Sequence, residues 1–198
     1  GLMPLEMQKK HSDIWKNDTD EGGKNLHEEE FLRRQLNALR VDLKFEYFKI
    51  TNLRSGKQLV DNFKMLKDND LTVVVYNFVD MISHAKTEME VIKELASDDK
   101  AYRSLTNSWF LNSPLLELIQ KAQSIGLKLI ITTDHGTINS KVPSKVIGDK
   151  NISSNLRYKT GRSLTYSEKE VFAVKDPAEL MLPSIHMSSS FIFAKEDF

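Results

Sequence analysis

The chain has 198 residues, of which 40% are hydrophobic and 28% are charged, a composition typical of a globular domain with a sizeable core. Lys plus Arg and Asp plus Glu number 28 each, so no net charge attracts nucleic acid or an anionic membrane. The sequence contains no cysteine, which excludes disulfides, thiolate zinc sites and a cysteine nucleophile. Any metal must therefore be held by Asp, Glu and His.

The apolar segments are short. The longest strongly apolar stretch, Leu71–Tyr76, is far below the roughly 20 residues that are needed to span a bilayer. No apolar segment typical of a signal peptide follows Gly1. We therefore expect a soluble, cytoplasmic protein that does not insert into a membrane.

The first third of the chain predicts a loop, two helices and a strand. Residues 17–25 are polar, contain two adjacent glycines and lack periodicity, which indicates an exposed loop. Three glutamates at 28–30 precede apolar residues at helical spacing, a charge order that suits a helix N-terminus. Residues 45–50 are aromatic and β-branched and predict a strand, and residues 55–66 predict a helix that leads to a turn at 68–70.

The middle of the chain gives the strongest pattern. Leu71–Tyr76 is a continuous β-branched run, typical of a strand that is buried on both faces of a parallel sheet. Apolar residues at helical spacing extend from Met81 to Leu95. Residues 127–131 (LKLII) predict a second buried strand.

Between these two strands, Ser113 and Pro114 supply a cap and a first-turn proline for a helix over residues 115–125, which Gly126 can end. The order strand, helix, helix, strand predicts an α/β fold with a mostly parallel central sheet and helices on both faces. We treat the chain as one domain. Further strands are predicted at residues 154–159, 170–174 and 189–194.

Each of the two strongest predicted strands is followed by an Asp with a nearby His. Asp80 follows the first strand in YNFVDMISH, and His84 lies four residues later, about one helical turn away. Ligands bind beyond the carboxyl ends of strands in open parallel sheets, and side chains at this spacing can face one point. The alternative for this pair is a helix N-cap Asp with an exposed or hydrogen-bonded His.

Asp134 and His135 follow the second strand in IITTDHG, where Gly136 lets a ligand approach the backbone. The alternative here is a turn-favouring Asp and a surface His. Carboxylate and imidazole suit zinc, manganese or iron, and two such pairs could hold two ions about 4 Å apart, as in two-metal cleavage of phosphate esters. The recurrence of the same residue types after both strands favours metal binding.

Several segments also resemble a known family. The segments YNFVDMISH, TTDHG and SNLRYKTGR are similar to the PglZ domain of the alkaline phosphatase superfamily, and the resemblance covers nearly the whole chain. The flanking segments GLMPLEM and SSSFIFAKEDF are closer still to the PglZ output domain of the response regulator that controls type IX secretion in Bacteroidetes. The resemblance implies an alkaline-phosphatase-like fold and a metal-dependent phosphoric ester hydrolase.

The resemblance also implies two zinc ions, and manganese could replace one or both because it suits the same donors. Asp80 and His84 would bind one ion with a second histidine of the family. Asp134 and His135 would bind the other ion with an upstream Asp or Glu and a nucleophilic threonine. These four residues, Asp80, His84, Asp134 and His135, are the predicted metal ligands.

The family pattern extends past both ends of this sequence. Its nucleophilic threonine lies before the segment that matches Gly1, and its last metal histidine lies beyond the segment that matches Phe198. We therefore expect residues 1–198 to be one domain that is truncated at both ends, separated from its receiver domain and inactive by itself. No catalytic nucleophile is assigned within this chain, and Thr132, Thr133 and Thr137 are predicted to be turn and capping hydroxyls.

A basic stretch follows the predicted metal ligands. Residues 141–162 contain six Lys or Arg and one acid, Asp149. This stretch could attract a phosphodiester, and its alternative is a solvated loop beside a strand edge that lysines keep soluble. Asn155, Arg157 and Lys159 alternate along a predicted strand and thus share a face, which makes them the candidate substrate-binding residues.

Two functions are compatible with these residues. The first is a zinc-dependent phosphodiesterase or phosphatase, and the resemblance implies cyclic or linear oligonucleotides as substrates. The second is a non-catalytic output module, in which metals stabilise a surface that binds a sigma factor or a secretion component. The resemblance further implies a histidine kinase as a partner of the complete protein, and a homodimer is left open.

Trp109 has no aromatic ladder nearby and is predicted to serve packing.

Overall fold

The computed structural model describes residues 4–17, 21, 25–135, 142–148, 152, 158–183 and 189–195, and for residues 86–88 it describes the backbone alone. The chain divides into two compact units, residues 32–132 and residues 1–31 with 133–198. In chain order the described elements are α1 (Pro4–Lys10), α2 (Glu28–Ala38), β1 (Phe45–Ile50), α3 (Leu53–Asp61), a 3-10 helix (Phe63–Asp68), β2 (Leu71–Tyr76), α4 (Phe78–Glu88), α5 (Glu90–Leu95), α6 (Asp99–Leu111), α7 (Pro114–Ser124), β3 (Tyr158–Gly161), β4 (Val171–Val174), a second 3-10 helix (Pro177–Leu180) and β5 (Ser190–Ala194).

The unit of residues 32–132 contains β1 and β2 as a parallel pair. Phe45 lies opposite Leu71, and Ile50 lies opposite Tyr76. Both strands have the predicted bounds, because β-branched and aromatic side chains fit a pleated surface that is covered by helices. The parallel direction requires a crossover between the strands, which α3 and the first 3-10 helix provide.

The helix predicted over residues 55–66 is interrupted. α3 begins at Leu53 because the side chain of Asn52 accepts a hydrogen bond from the N–H of Ser55 at 2.9 Å. The helix ends at Asn62, whose backbone N–H and side-chain amide both donate to the carbonyl of Gln58, at 3.1 and 2.9 Å. A side-chain amide that bonds the backbone in this way competes with the helical ladder, and the chain continues as a 3-10 helix.

The hydrophobic core of this unit forms where α3, the first 3-10 helix and α7 pack on one face of β1 and β2. Burial of each Leu, Ile or Phe side chain contributes about 1.5–3 kcal/mol to folding. Phe48, Val74 and Tyr76 contact this core from the strands. Its buried members are Ile50, Leu59, Val60, Phe63, Leu66, Leu118 and Ala122.

The predicted helix over residues 115–125 is confirmed as α7. Ser113 accepts a hydrogen bond from the N–H of Leu116, and Pro114 occupies the first turn. At the other end, Gly126 has φ +71° and its N–H donates to the carbonyl of Gln123. The positive φ is a conformation that glycine adopts without steric cost, which is why the helix stops here.

The helix predicted from Met81 to Leu95 is divided between α4 and α5. Met89 separates them with φ −118° and ψ 116°, an extended conformation. The side chains of Met89, Val91 and Leu95 are each more than half exposed. The apolar periodicity therefore predicted helix correctly but did not predict the break or the exposure.

The prediction of a second buried parallel strand at residues 127–131 is wrong. Within the described part of the chain, residues 127–131 form no strand, and Ile130 and Ile131 are 77% and 74% exposed. The β-branched composition indicates strand, but a buried strand needs a neighbour that supplies its ladder of hydrogen bonds. In the described residues, the parallel sheet consists of β1 and β2.

The other unit contains an antiparallel sheet, which corrects the predicted single central sheet. Its described strands lie in the order β3-β5-β4. Phe193 of β5 lies opposite Tyr158 of β3 on one side and Phe172 of β4 on the other. Residues 162–170, which connect β3 to β4, are all described and contain no helix. β5 lies between these two strands and is antiparallel to both.

The last three predicted strands are confirmed in part. β4 and β5 each start within one residue of the predicted position. Of the strand predicted at residues 154–159, residues 154–157 lie outside the described residues, and β3 begins at Tyr158. Val171, Val174, Phe191 and Ile192 are buried and form the apolar interior of this sheet. The sequence thus located these strands, although it did not predict their direction.

No helix in the described ranges combines the length and the apolar character that a transmembrane span requires.

Gly56 in α3 gives a test of how closely the core is packed. A Cβ at this position would lie 2.6 Å from the hydroxyl of Tyr76 and 3.2 Å from side-chain carbons of Pro114. We expect Gly56→Ala to destabilise the protein by about 1–2 kcal/mol, although alanine normally stabilises a helix, because overpacking outweighs helix propensity. Chemical denaturation with the control Lys57→Ala, at an exposed position of α3, measures the effect. Unchanged or increased stability of Gly56→Ala would show that the side chains around Gly56 move to accommodate a methyl group.

Candidate functional site

Asp80 lies in the first turn of α4. β2 ends at Tyr76, Asn77 occupies the N-cap position and the helix begins at Phe78. Asp80 is therefore the third helical residue and not the N-cap that the alternative interpretation assigned to it. A carboxylate in this position interacts favourably with the positive end of the helix dipole.

The structure brings Asp80 and His84 together. The Oδ2 atom of Asp80 lies 3.6 Å from the Nε2 atom of His84, and their side chains are 48% and 62% exposed. Two ligands of a tetrahedral zinc at about 2.0–2.2 Å lie about 3.3–3.6 Å apart. The separation of the two donor atoms therefore suits joint coordination of one ion, and both side chains are exposed.

The first turn of α4 makes several contacts with neighbouring elements. The N–H of Asn77 donates to the carbonyl of Ile50, at the end of β1. The hydroxyl of Tyr102 in α6 donates to the carbonyl of Val79 at 3.2 Å. Trp109 of α6 stacks on Phe78 with a centroid distance of 3.9 Å and an interplanar angle of 7°. Trp109 thus serves packing, as predicted.

Asp134 and His135 form the second pair. The Oδ2 atom of Asp134 lies 3.8 Å from the Nε2 atom of His135, and the side chains are 88% and 46% exposed. The other carboxylate oxygen accepts a hydrogen bond from the N–H of His135 at 3.0 Å. The hydroxyl of Thr133 donates to the carbonyl of His135 at 2.7 Å, which confirms its predicted role in the turn.

This turn follows residues 127–131, which form no strand among the described residues, so the second pair does not lie at a strand end. Asp80 and His84 belong to the unit of residues 32–132, and Asp134 and His135 belong to the other unit. No third His, Asp or Glu joins either pair to make a metal cluster within the described ranges. The convergence of the two pairs on one metal site stays a prediction.

The predicted substrate-binding residues lie at the edge of what the structure describes. Lys159 is the second residue of β3, half-buried and opposite Ile192 of β5. Asn155, Arg157 and Gly136 lie outside the described residues. Lys145 and Arg162 of the basic stretch are exposed, as a surface that attracts phosphate requires.

The structure also contains a cavity that the sequence did not predict. It has a volume of about 350 Å³ and lies between β1, α3 and the first 3-10 helix. None of its lining residues is a predicted site residue. They are Phe48, Lys49, Ile50, Ser55, Gln58, Leu59, Asn62 and Met65.

The exposure of the first pair predicts that it contributes little to stability. We expect His84→Ala to change the free energy of unfolding by less than about 0.5 kcal/mol, because exposed pairs at this helical spacing are weak. Arg103→Ala is a matched control, since Arg103 lies four residues after Asp99 in the first turn of α6, 4.0 Å from its carboxylate. Urea denaturation measures both. A loss above about 1.5 kcal/mol for His84→Ala alone would assign His84 a structural role.

The sequence was compared with protein families and with curated proteins. The profile of the BREX system PglZ alkaline phosphatase-like domain matches residues 1–197. A search of curated proteins found no match. Because the match spans almost every residue and includes both Asp–His pairs, the chain belongs to the PglZ family of alkaline-phosphatase-like domains.

Proposed function

We propose that this domain hydrolyses phosphoric esters with divalent metal ions that Asp80, His84, Asp134 and His135 hold. The observation that carries the proposal is the Asp80–His84 pair, whose donor atoms lie 3.6 Å apart on an exposed helical turn. Membership of an alkaline-phosphatase-like family supports a phosphoesterase-type reaction. The same chemistry is available to the Asp134–His135 pair.

The donor set fits zinc. Each pair offers one carboxylate oxygen and one imidazole nitrogen, which are common zinc ligands, and manganese accepts the same donors. The side chains of both pairs are exposed, which would allow a substrate oxygen to bind beside the protein ligands. When bound, such ions would supply electrostatic stabilisation of the charge that develops on the phosphoryl oxygens.

The residues of the chain would contribute positioning and charge. Asp80 and Asp134 would neutralise the ions, and His84 and His135 would bind through the Nε2 atoms that face those carboxylates. Asp134 would bind its ion through Oδ2, because Oδ1 accepts the N–H of His135. Lys159, with Asn155 and Arg157, would attract the phosphate group.

A phosphodiester, including cyclic or linear oligonucleotides, is the substrate class that we propose. The basic stretch of residues 141–162 supports an anionic substrate, although the chain as a whole carries no net charge. The context proposed for the complete protein is a two-component response regulator of the type IX secretion system, which rests on the resemblance of the segments at both ends. Its partners would be a histidine kinase and a sigma factor.

The second candidate is a signalling module without turnover. Exposed apolar side chains in the unit of residues 32–132 favour it, because such side chains mark surfaces that bind proteins. Val91 and Leu95 of α5 are 63% and 58% exposed. In this case metal binding would stabilise the folded domain and thereby its complex with a partner.

Metal content tests the ligand assignment. We expect the intact gene product to bind about two zinc ions per chain after dialysis, and His84→Ala and His135→Ala to lose about one ion each, because each removes a donor from a different pair. Elemental analysis of the folded protein measures the content. Arg103→Ala is the control and should retain both ions. A folded, intact protein that binds no transition metal would contradict the assignment.

Hydrolysis tests the reaction. We expect the intact gene product with added zinc to hydrolyse bis(p-nitrophenyl) phosphate, and Asp134→Ala to lower kcat/KM by about 100-fold or more, because a ligand carboxylate is lost. The control Asp99→Asn removes an exposed carboxylate of α6 and should retain activity. Release of p-nitrophenolate measures both. Zinc binding without hydrolysis of this ester or of p-nitrophenyl phosphate would favour the signalling module.

A further inference from the structure

The start of α4 differs from the starts of the other long helices in its unit. At the start of each of these helices a side chain accepts a hydrogen bond from a backbone N–H. The accepting side chain is that of Asn52 for α3, Asp98 for α6 and Ser113 for α7. Among the described residues, the side chain of Asn77 caps no N–H group of α4. The first turn of α4 therefore depends on contacts from other elements.

Two of these contacts come from one side of α6. Tyr102 donates to the carbonyl of Val79, and Trp109 stacks on Phe78. Tyr102 and Trp109 are seven residues apart, about two helical turns, so they project from the same side of α6. Phe78 and Val79 are the two residues immediately before Asp80.

α6 is itself held in place. Its N-terminus is capped by Asp98, which accepts the N–H of Ala101 at 2.7 Å. Trp109 also contacts the ring of Tyr76 edge to face, with a centroid distance of 5.5 Å. Tyr76 packs against the core, and burial raises its pKa above the ordinary value of 10.0, so its ring stays uncharged at neutral pH. Trp109 thus links the core to the start of α4.

We propose that Tyr102 and Trp109 are positioning residues, which set the separation of the donor atoms of Asp80 and His84 and thereby the metal affinity of this pair. The inference rests on the proposed metal-binding function. Movement of the first turn of α4 would displace Asp80, which lies within that turn, more than His84, which lies one turn further along. Metal affinity depends on such outer contacts because they orient the ligands before the ion binds.

The two residues act in distinguishable ways. Tyr102→Phe removes the hydrogen bond to the carbonyl of Val79 and keeps the ring. Because the net contribution of a neutral hydrogen bond is about 0.5–1.5 kcal/mol, zinc binding should weaken by up to about tenfold. Trp109→Leu removes the stack on Phe78 and should weaken binding by a similar factor. Trp109→Phe keeps an aromatic ring at this position and should restore most of the affinity.

The experiment is a titration of the intact protein with zinc, combined with visible absorption spectra of the protein loaded with cobalt(II), whose bands report ligand geometry. The affinity of the Asp80–His84 pair is identified as the one that His84→Ala removes. Ser104→Ala, at an exposed position of α6, is the matched control. Thermal denaturation of each apoprotein checks that the variants are folded.

We expect weaker zinc binding and shifted cobalt bands for Tyr102→Phe and Trp109→Leu, and values near the unmutated protein for Trp109→Phe and Ser104→Ala. Unchanged affinity and spectra in folded Tyr102→Phe and Trp109→Leu would overturn this inference and leave the proposed function intact. Should Trp109→Leu fail to fold, Tyr102→Phe alone decides the outcome. Absence of zinc binding to the unmutated protein would overturn the proposed function, and this inference with it.

Discussion

The parallel pairing of β1 with β2 is the constraint on which the better-defined part of the candidate site depends. The pairing places the carbonyl of Ile50 where it accepts the N–H of Asn77, so α4 starts directly after β2. The same face of these strands carries Phe48, Val74 and Tyr76 into the core. Hydrophobic burial, which stabilises the two paired strands, therefore also determines where α4 begins and hence where Asp80 lies. The position of the exposed Asp80 is thus set by side chains that pack against the core.

The Asp80–His84 pair shows how an exposed site can be ordered without strong interactions of its own. An exposed pair at this spacing contributes little to folding, so its geometry must come from the helix that carries it. That helix lacks a side-chain cap within the described residues and instead receives a hydrogen bond and an aromatic stack from α6. The Asp134–His135 pair uses a different device. Its turn is stabilised by hydrogen bonds from the hydroxyl of Thr133 and from the backbone N–H of His135 itself.

Family membership and local chemistry both support the phosphoester reaction that we propose. The PglZ profile spans the chain, and the donor atoms of two Asp–His pairs suit divalent metals. The exposed apolar side chains of α5 are independent of that chemistry and are better suited to a protein surface. The two proposed functions, phosphoester hydrolysis and partner binding, would therefore use different residues of the chain and do not exclude each other.

The sequence by itself determined the local features, and the tertiary structure decided the long-range ones. β-branched composition located β1 and β2, and the cap, proline and glycine of α7 fixed its bounds, because these signals act within a few residues. The spacing of Asp80 and His84 also sufficed to predict their proximity, since a helix fixes neighbours at four residues. The strand at residues 127–131 and the single, mostly parallel central sheet were predicted wrongly, because pairing depends on partners distant in the sequence. The contacts of Tyr102 and Trp109 with α4 were also decided by the tertiary structure. An aromatic residue on a helix indicates packing, but only the fold decides what it packs against.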